Sequence, residues 1–408
     1  MNLGFYIILA AQFFSALADN ALLFAAIALL MELKSPAWHT PVLQEAFVFS
    51  YIVLAPFVGA FADSLPKGRV MFVSNIIKLA GCLTMLLGAH PLFAYCLVGL
   101  GAAAYSPAKY GILTEYLPPS RLVTANSWME GLTVLAIVLG AVLGGILVTP
   151  AITAPLLQSL HLPLITSIPE LAILLIALVY VIAAVFNLYI PHVKIDHRPL
   201  SSNPAFLMRE FWHNFNLLWK DPLGQVSLGV TTLFWGAGAT LRLLLIGWAA
   251  VALHYDIGSA AKLTAWFAIG IAIGSVLAAK YVKLEQSVRV LPVGIAMGAA
   301  VLLMIPITNN VLAIALLIGM GAMGGYFVVP MNALLQHRGH LLMGAGSSIA
   351  VQNFNENLSI FLMLGLYAAM EKLGLHIYLI ITVFGLLLAG IMAILYKKHG
   401  HDQDNGKI

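Results

Sequence analysis

Charged residues are scarce in this chain of 408 residues. Asp, Glu, Lys and Arg make up only 9% of the sequence, and hydrophobic residues make up 61%. A soluble domain has about 25% charged and about 45–50% apolar residues. So few charges cannot form the polar surface that a soluble protein of this length needs. The composition therefore excludes a soluble globular domain and predicts a surface that faces lipid.

Cysteine is almost absent too. Cys82 and Cys96 lie in apolar runs, where two isolated thiols are typical of packing residues rather than of a disulfide or a metal site. Most histidines lie between the apolar runs, and no pair has metal-ligand spacing within one. We therefore expect no metal and no other cofactor.

Signatures of catalysis and of nucleotide use are also missing. The sequence contains no Walker loop, so ATP is not the expected energy source. It contains no Gly-x-Ser-x-Gly elbow. The small net charge of +4 gives no sign of a nucleic-acid partner. We do not expect an enzyme.

Long apolar runs dominate what is present. Runs of about 18 or more residues indicate transmembrane helices. We predict an all-α integral membrane protein with twelve spans. The predicted spans are 5–32, 43–62, 70–88, 92–116, 122–149, 170–190, 226–253, 260–282, 290–307, 312–335, 344–370 and 376–396.

Lys and Arg in the loops predict the orientation. With both termini placed in the cytoplasm, the inside loops hold fourteen of these residues and the outside loops three. Cytoplasmic loops carry the excess of positive residues. We therefore expect a multi-pass protein with both ends in the cytoplasm.

The two halves of the sequence resemble each other. A shift of 220 residues places Arg69 on Arg289 and Gly99 on Gly319. We predict a bundle over 1–190, a cytoplasmic linker over 191–225 and a second bundle over 226–408. Two pseudo-symmetric halves of six helices are typical of the major facilitator fold, whose binding site lies between the halves near the bilayer midplane.

The loop after the second span, from Gly59 to Arg69, resembles the signature loop of that superfamily. Its aspartate, Asp63, can face the positive N-terminal end of another helix, such as the eleventh span near Gly344. Such a contact would stabilise a cytoplasm-closed state. The alternative is an ordinary cytoplasmic turn.

Two charges lie deep within spans, one in each half. Asp19 lies in the first span, next to Asn20 and on one helical face with Gln12 and Ser15. Arg242 lies at similar depth in the seventh span. Charges at this depth need a partner or water, so we predict a cargo site formed by Asp19 and Arg242. A permanent structural salt bridge is the alternative.

A second polar group lies nearer the predicted cytoplasmic side. We assign Lys109, Tyr105 and Asn332 to the transport path, and we assign the others to a gating network with Asp63. For Lys109 the alternative is snorkelling to the headgroups, and for the two glutamates it is a proton relay. The gating residues are Asp63, Arg69, Glu130, Gln352 and Glu356.

Several stretches closely resemble the bacterial lysophospholipid transporter family, LplT. They include Ala18–Phe24, Gly101–Leu113 and Val328–Gln336. The run Tyr105-Ser-Pro-Ala-Lys-Tyr-Gly111 is the most specific of them. The resemblance extends from the first span to the eleventh in the same order.

The resemblance implies a flippase of the Gram-negative inner membrane. Such proteins carry lysophospholipids, chiefly lysophosphatidylethanolamine, from the outer to the inner leaflet without ATP or an ion gradient. An acyltransferase, usually a separate protein and in some bacteria a fused domain, then restores the second chain. Arg242 and Lys109 would face the phosphate, and Asp19 the ammonium. We expect a monomer.

Two rival functions remain open from the sequence. A proton-coupled exporter of amphipathic drugs would share the fold and would need a titrating carboxylate such as Asp19 or Glu356. A membrane-embedded acyltransferase would act on the same lipid by a different chemistry.

Overall fold

The computed structural model describes residues 2–36, 39–160, 165–193, 199–255 and 257–399, apart from the side chains of 40, 41, 44 and 257–262. The loop charges Lys194, Arg198 and Lys407 of the topology prediction lie outside the described residues, as does part of the predicted linker. The side chain of Lys262 is not described either.

Within the described residues the chain forms fourteen α-helices and two short 3-10 helices, with no strand. The α-helices are α1 (Leu3–Glu32), α2 (His39–Ser64), α3 (Lys67–Leu86), α4 (Pro91–Tyr116), α5 (Leu122–Leu147), α6 (Pro150–Leu160), α7 (Ile168–Leu188), α8 (Pro204–Lys220), α9 (Pro222–Ala252), α10 (Ile257–Tyr281), α11 (Leu291–Leu302), α12 (Asn310–Met343), α13 (Ala345–Lys372) and α14 (Ile377–His399).

Each of the twelve predicted spans coincides with one of these helices, so the all-helical class is confirmed. Ten helices of the described chain are long and apolar enough to cross a membrane. The other two predicted spans correspond to α11 and α13. α11 has 12 residues and is about 18 Å long, and α13 carries buried polar residues such as Gln352 and Glu356. The count of twelve crossings stays a prediction.

Two helices lie where the sequence predicted only connections. α6 follows α5 and begins at Pro150, a residue favoured in the first turn of a helix. α8 lies in the predicted linker and is amphipathic, with Phe211 buried and Trp212 exposed on adjacent positions. Prolines and mixed charge indicated loops there, but both segments still form helices.

The helices group into two compact units. The first comprises Met1–Tyr116, Leu135–His213 and Met343–Asn353, and the second comprises Leu117–Val134, Asn214–Leu342 and Phe354–Ile408. Each unit thus includes a short segment from the other half of the sequence. The start of α5 belongs to the second unit, and the start of α13 belongs to the first. The sequence division at 191–225 stays a prediction.

Small residues set the helix spacing in the first unit. The buried core where α1 packs against its neighbours contains Ala18, Ala21 and Ala25, and small side chains let membrane helices approach closely. Gly101 of α4 is such a point, because a Cβ there would lie 2.7 Å from Cγ of Lys78 on α3. The missing side chain gives Lys78 room to extend along α4.

Glycine also permits close helix packing in the second unit. A Cβ at Gly298 of α11 would lie 2.8 Å from Cβ of Ala389 on α14, so the glycine permits close packing of these helices. The indole of Trp248 on α9 donates a 2.7 Å hydrogen bond to the carbonyl oxygen of Met304, just beyond α11. This bond ties α9 to the turn that follows α11.

Candidate functional site

An ion pair between a buried lysine and a partly buried aspartate lies within the first unit. Nζ of Lys78 on α3 lies 2.8 Å from Oδ2 of Asp19 on α1. The hydroxyl of Tyr180 on α7 donates a 2.7 Å hydrogen bond to Oδ1 of the same carboxylate. Three helices therefore converge on Asp19, and each carboxylate oxygen accepts one strong hydrogen bond.

Lys78 is held from several directions. Its ammonium group also donates to Oγ of Ser15 at 3.0 Å and lies 4.7 Å from the ring centre of Tyr105 on α4. Only 1% of its side chain is exposed, against 20% for Asp19. The carboxylate is therefore the accessible member of the pair, and the ammonium group is not.

Two amides extend this polar cluster. Ser15 donates to Oδ1 of Asn75 at 2.8 Å, while Nδ2 of Asn75 has no hydrogen-bond partner among the described residues. Gln12 is fully buried, and neither of its amide atoms has a partner within that part of the chain. Unsatisfied amides of this kind are costly unless water or a ligand reaches them.

The stripe of Gln12, Ser15 and Asp19 lies on one face of α1, as the sequence predicted. The pairing of Asp19 with Lys78 was missed, because Lys78 was left unassigned within the third span. A signal for it existed: a lysine so deep in a span requires an anion at matching depth, and Asp19 is a carboxylate of that kind.

The other predicted path residues differ in their surroundings. Asn20 donates to the carbonyl oxygen of Ala16 on its own helix at 2.8 Å. Lys109 lies 4.3 Å from the ring centre of its neighbour Tyr110. Arg242 is an exposed residue of α9 in the second unit. It forms no ion pair within the described residues. The predicted pair of Asp19 with Arg242 stays a prediction.

Asp63 makes the helix-end contact that the sequence predicted. It accepts hydrogen bonds from the backbone N–H groups of Gly346 and Ser347 at 2.7 and 2.8 Å, and from the Ser347 hydroxyl at 2.9 Å. These donors lie in the first turn of α13, where the helix dipole favours an anion. Lys67 completes the contact at 2.9 Å and also pairs with Glu115.

Glycines make this approach possible. A Cβ at Gly346 would lie 2.7 Å from Oδ1 of Asp63, and a Cβ at Gly59 would lie 2.8 Å from Cβ of Ala350. Gly344, which precedes α13, has a φ of 105°, a conformation that L-residues rarely adopt. One turn further along α13 from Ala350, Asn353 donates to Oγ of Ser106 on α4 at 2.9 Å.

A corresponding set of contacts joins α5 to α10 and α12 in the second unit. Asn126 of α5 and Gln336 of α12 exchange two amide hydrogen bonds of 2.9 and 2.8 Å. Asn332 of α12 donates to Oε1 of Glu130 at 3.2 Å, and Ser127 donates to the carbonyl oxygen of Ser275 at 2.7 Å. Glu130 and Asn332, which the sequence placed in separate groups, are therefore partners.

The remaining predicted gating residues lie on α3 and α13. Arg69 is exposed at the start of α3, six residues beyond Asp63. Gln352 and Glu356 are buried on α13, one turn apart. No group of three His, Cys, Asp or Glu residues in the described chain is placed to hold a metal ion.

The amide pair of Asn126 and Gln336 gives a stability prediction. Asn126→Leu should lower the free energy of unfolding by about 2 kcal/mol, because a buried Gln336 would lose both hydrogen bonds. The double variant Asn126→Leu with Gln336→Leu should recover most of this loss, since no buried amide then lacks a partner. Thermal unfolding of the three variants in detergent measures the difference. A double variant whose loss of stability equals or exceeds the sum of the two single losses would contradict the pairing.

The fold and the buried charges define a membrane transporter of the major facilitator type. The sequence matches the Major Facilitator Superfamily over residues 8–364. The lysophospholipid transporter LplT of Yersinia enterocolitica is 47% identical over 378 residues, which cover 92% of this chain and 89% of the relative. LplT of Serratia proteamaculans is 47% identical, covering 90% and 88%. The chain therefore belongs to the LplT family of this superfamily.

Solved structures agree on the fold. The human organic anion transporter MFSD10 superposes with a TM-score of 0.72 at 13% identity, covering 98% of this chain and 100% of that one. The transporter FucP, solved in the outward conformation, gives a TM-score of 0.72 at 13% identity, covering 97% and 98%. Identities this low support the fold alone.

Proposed function

We propose that this protein carries lysophospholipids, chiefly lysophosphatidylethanolamine, from the outer to the inner leaflet of the inner membrane for reacylation. The observation that carries the proposal is a partly buried carboxylate and a guanidinium, both within apolar spans, in a chain whose relatives are named lysophospholipid transporters. The cargo has matching chemistry, because its headgroup contains an ammonium and a phosphate.

Asp19 is suited to the ammonium of the headgroup. A carboxylate offers about four lone-pair sites, and Lys78 and Tyr180 occupy one on each oxygen. Because 20% of the Asp19 side chain is exposed, one edge of the carboxylate can accept a further N–H. Lys78 then orients the carboxylate, and the lipid ammonium adds to it.

Arg242 is suited to the phosphate. Guanidinium binds phosphate through two parallel hydrogen bonds, and Arg242 has no carboxylate partner that would compete within the described residues. Lys109, Tyr105, Asn20 and Asn332 are proposed to line the path.

The contacts of Asp63 and of Glu130 are proposed to close the cytoplasmic side. The positive-inside bias of the loops supports this orientation, with both termini in the cytoplasm. Both sets of contacts join helices from the two halves of the sequence, so breaking them would open that side. Arg69, Gln352 and Glu356 are assigned to the same network.

The protein is proposed to act as a monomer and not as an enzyme, with a separate acyltransferase consuming the delivered lipid. Incubation of the pure protein with lysolipid and an acyl donor should therefore give no diacyl product. A diacyl product would favour the acyltransferase alternative.

Substitutions of Arg242 test the proposed headgroup site. In proteoliposomes with labelled lysophosphatidylethanolamine, Arg242→Met should lower leaflet-resolved uptake at least about tenfold, the loss expected for one charge-assisted hydrogen-bonded pair. Arg242→Lys should retain part of the rate, because it keeps the charge but loses the bidentate geometry.

Arg121→Met is the matched control, since Arg121 lies exposed on the short 3-10 helix Pro119–Arg121. Equal uptake in Arg242→Met and in this control would refute the role of Arg242. A parallel measurement with an uncoupler separates the two transport hypotheses, because collapse of uptake would favour the proton-coupled exporter.

A further inference from the structure

An apolar pocket lies inside the second unit, among α9, α10, α11, α13 and α14. Its empty volume is about 460 Å³, part of which is open to solvent. Every residue that lines it is apolar, including Phe234 and Leu241 of α9, Phe267 of α10 and Phe384 of α14. Ligand pockets are lined predominantly by hydrophobic and aromatic side chains, so this lining suits a hydrocarbon group.

Gly238 forms the part of the wall that α9 contributes between Phe234 and Leu241. A Cβ at this glycine would meet no atom within 4 Å, so the space beside it is empty and is not taken up by a neighbouring helix. The glycine is therefore not required for close helix packing, unlike Gly298. Its effect is to widen the pocket.

Arg242 lies one helical turn beyond Gly238 on α9. Residues four apart on a helix lie on the same face about 6 Å apart. The guanidinium and the pocket wall thus share one face of one helix. An anionic group bound at Arg242 would lie beside an opening that accepts only apolar atoms.

Two methionines, Met297 of α11 and Met363 of α13, also line the pocket. Methionine side chains have three rotatable bonds and adapt to irregular apolar partners. An apolar cavity of this kind excludes water and accepts apolar ligands instead. The wall is therefore suited to a flexible hydrocarbon.

We propose that this pocket binds the acyl chain of the lysophospholipid while Arg242 binds its phosphate. The proposal rests on the proposed function and specifies where the tail lies within the C-terminal helices. It makes Gly238 a determinant of chain length, because a side chain there would shorten the space available to the tail.

The test compares two lysophosphatidylethanolamines, with octadecanoyl and decanoyl chains, in leaflet-resolved uptake by proteoliposomes. Gly238→Leu should raise KM for the octadecanoyl lipid about tenfold, because several methylenes would lose their apolar surroundings. KM for the decanoyl lipid should change by less than about twofold, since fewer of its methylenes reach the narrowed space.

Gly390→Leu is the matched control. Gly390 is exposed on α14, and a Cβ there also meets nothing within 4 Å, but the residue does not line the pocket. It should leave both KM values unchanged. An equal rise of KM for both lipids in Gly238→Leu would overturn the proposal. If the unaltered protein carries neither lipid, the proposed function fails instead.

Photolabelling of the unaltered protein gives a second measurement that does not depend on a variant. A lysophosphatidylethanolamine with a diazirine near the end of its chain should label Met297 or Met363. Labelling confined to exposed residues such as Phe361 on the outer face of α13 would place the tail in the bilayer and refute the pocket.

Discussion

In the Lys78→Met variant, uptake of lysophosphatidylethanolamine should fall about a hundredfold, the loss that corresponds to about 3 kcal/mol at the site. Lys78 neutralises Asp19 and fixes one carboxylate oxygen, and Tyr180 alone remains once the lysine is gone. An unpaired carboxylate within a span attracts water or a proton. In either case it no longer presents an oriented anionic edge to the lipid ammonium.

The reverse replacement should be more damaging to stability. Asp19→Asn leaves an ammonium whose side chain is only 1% exposed, whereas Lys78→Met leaves a carboxylate that is 20% exposed. Removing one partner of a buried pair costs about 3–5 kcal/mol. We therefore expect Asp19→Asn to approach the upper value and Lys78→Met the lower one.

The double variant Asp19→Asn with Lys78→Met separates stability from transport. It should unfold near the temperature of the unaltered protein, because no buried charge is left unpaired, and it should still fail to transport. Thermal unfolding in detergent and uptake in proteoliposomes are the two measurements. Lys280→Met serves as the control, since Lys280 is exposed in the last turn of α10. Additive losses in the double variant would show that the two charges do not interact.

Most of the helices could be predicted, because a long apolar run indicates a transmembrane helix. The predicted span 92–116 and the observed α4 agree to one residue, since Pro91 marks the beginning of that helix. The span 290–307 agrees less well, because α11 ends at Leu302, four residues before Pro306. A proline disfavours helical conformation in the residue before it, but the apolar composition continues past the end of the helix.

In the site, too, contacts that depend on short sequence motifs could be predicted, and contacts that depend on which helices are neighbours could not. The contact of Asp63 with the start of α13 was predictable, because a short motif supplies the anion and a glycine-containing helix start supplies the donors. The pairing of Asp19 with Lys78 was not found, because depth along a span does not identify which helices are neighbours. The hydrogen bond from Tyr180 to Asp19 was even harder to predict, since tyrosines are common in apolar runs of membrane helices.

Removal of the Asp63 carboxylate should open the α13 contact. Asp63→Ala deletes the acceptor of three hydrogen bonds from Gly346 and Ser347, each worth about 1.5–3 kcal/mol when the acceptor is charged. Losing even part of this stabilisation is enough to invert the populations of two conformational states whose free energies differ by a few kcal/mol. We expect uptake to fall at least about tenfold, because the state closed at this end is no longer populated enough to complete the cycle.

A labelling experiment tests whether this loss is conformational. Ala345 begins α13, is 3% exposed and lies where a Cβ on Gly111 would be 3.2 Å away. With both native cysteines replaced, Ala345→Cys should react with a soluble maleimide several-fold faster when Asp63→Ala is also present. Ser347→Ala is the matched control, because it removes only the hydroxyl donor and leaves both backbone N–H groups bound to Asp63. Unchanged labelling in Asp63→Ala would show that the carboxylate stabilises the loop without holding α2 and α13 together.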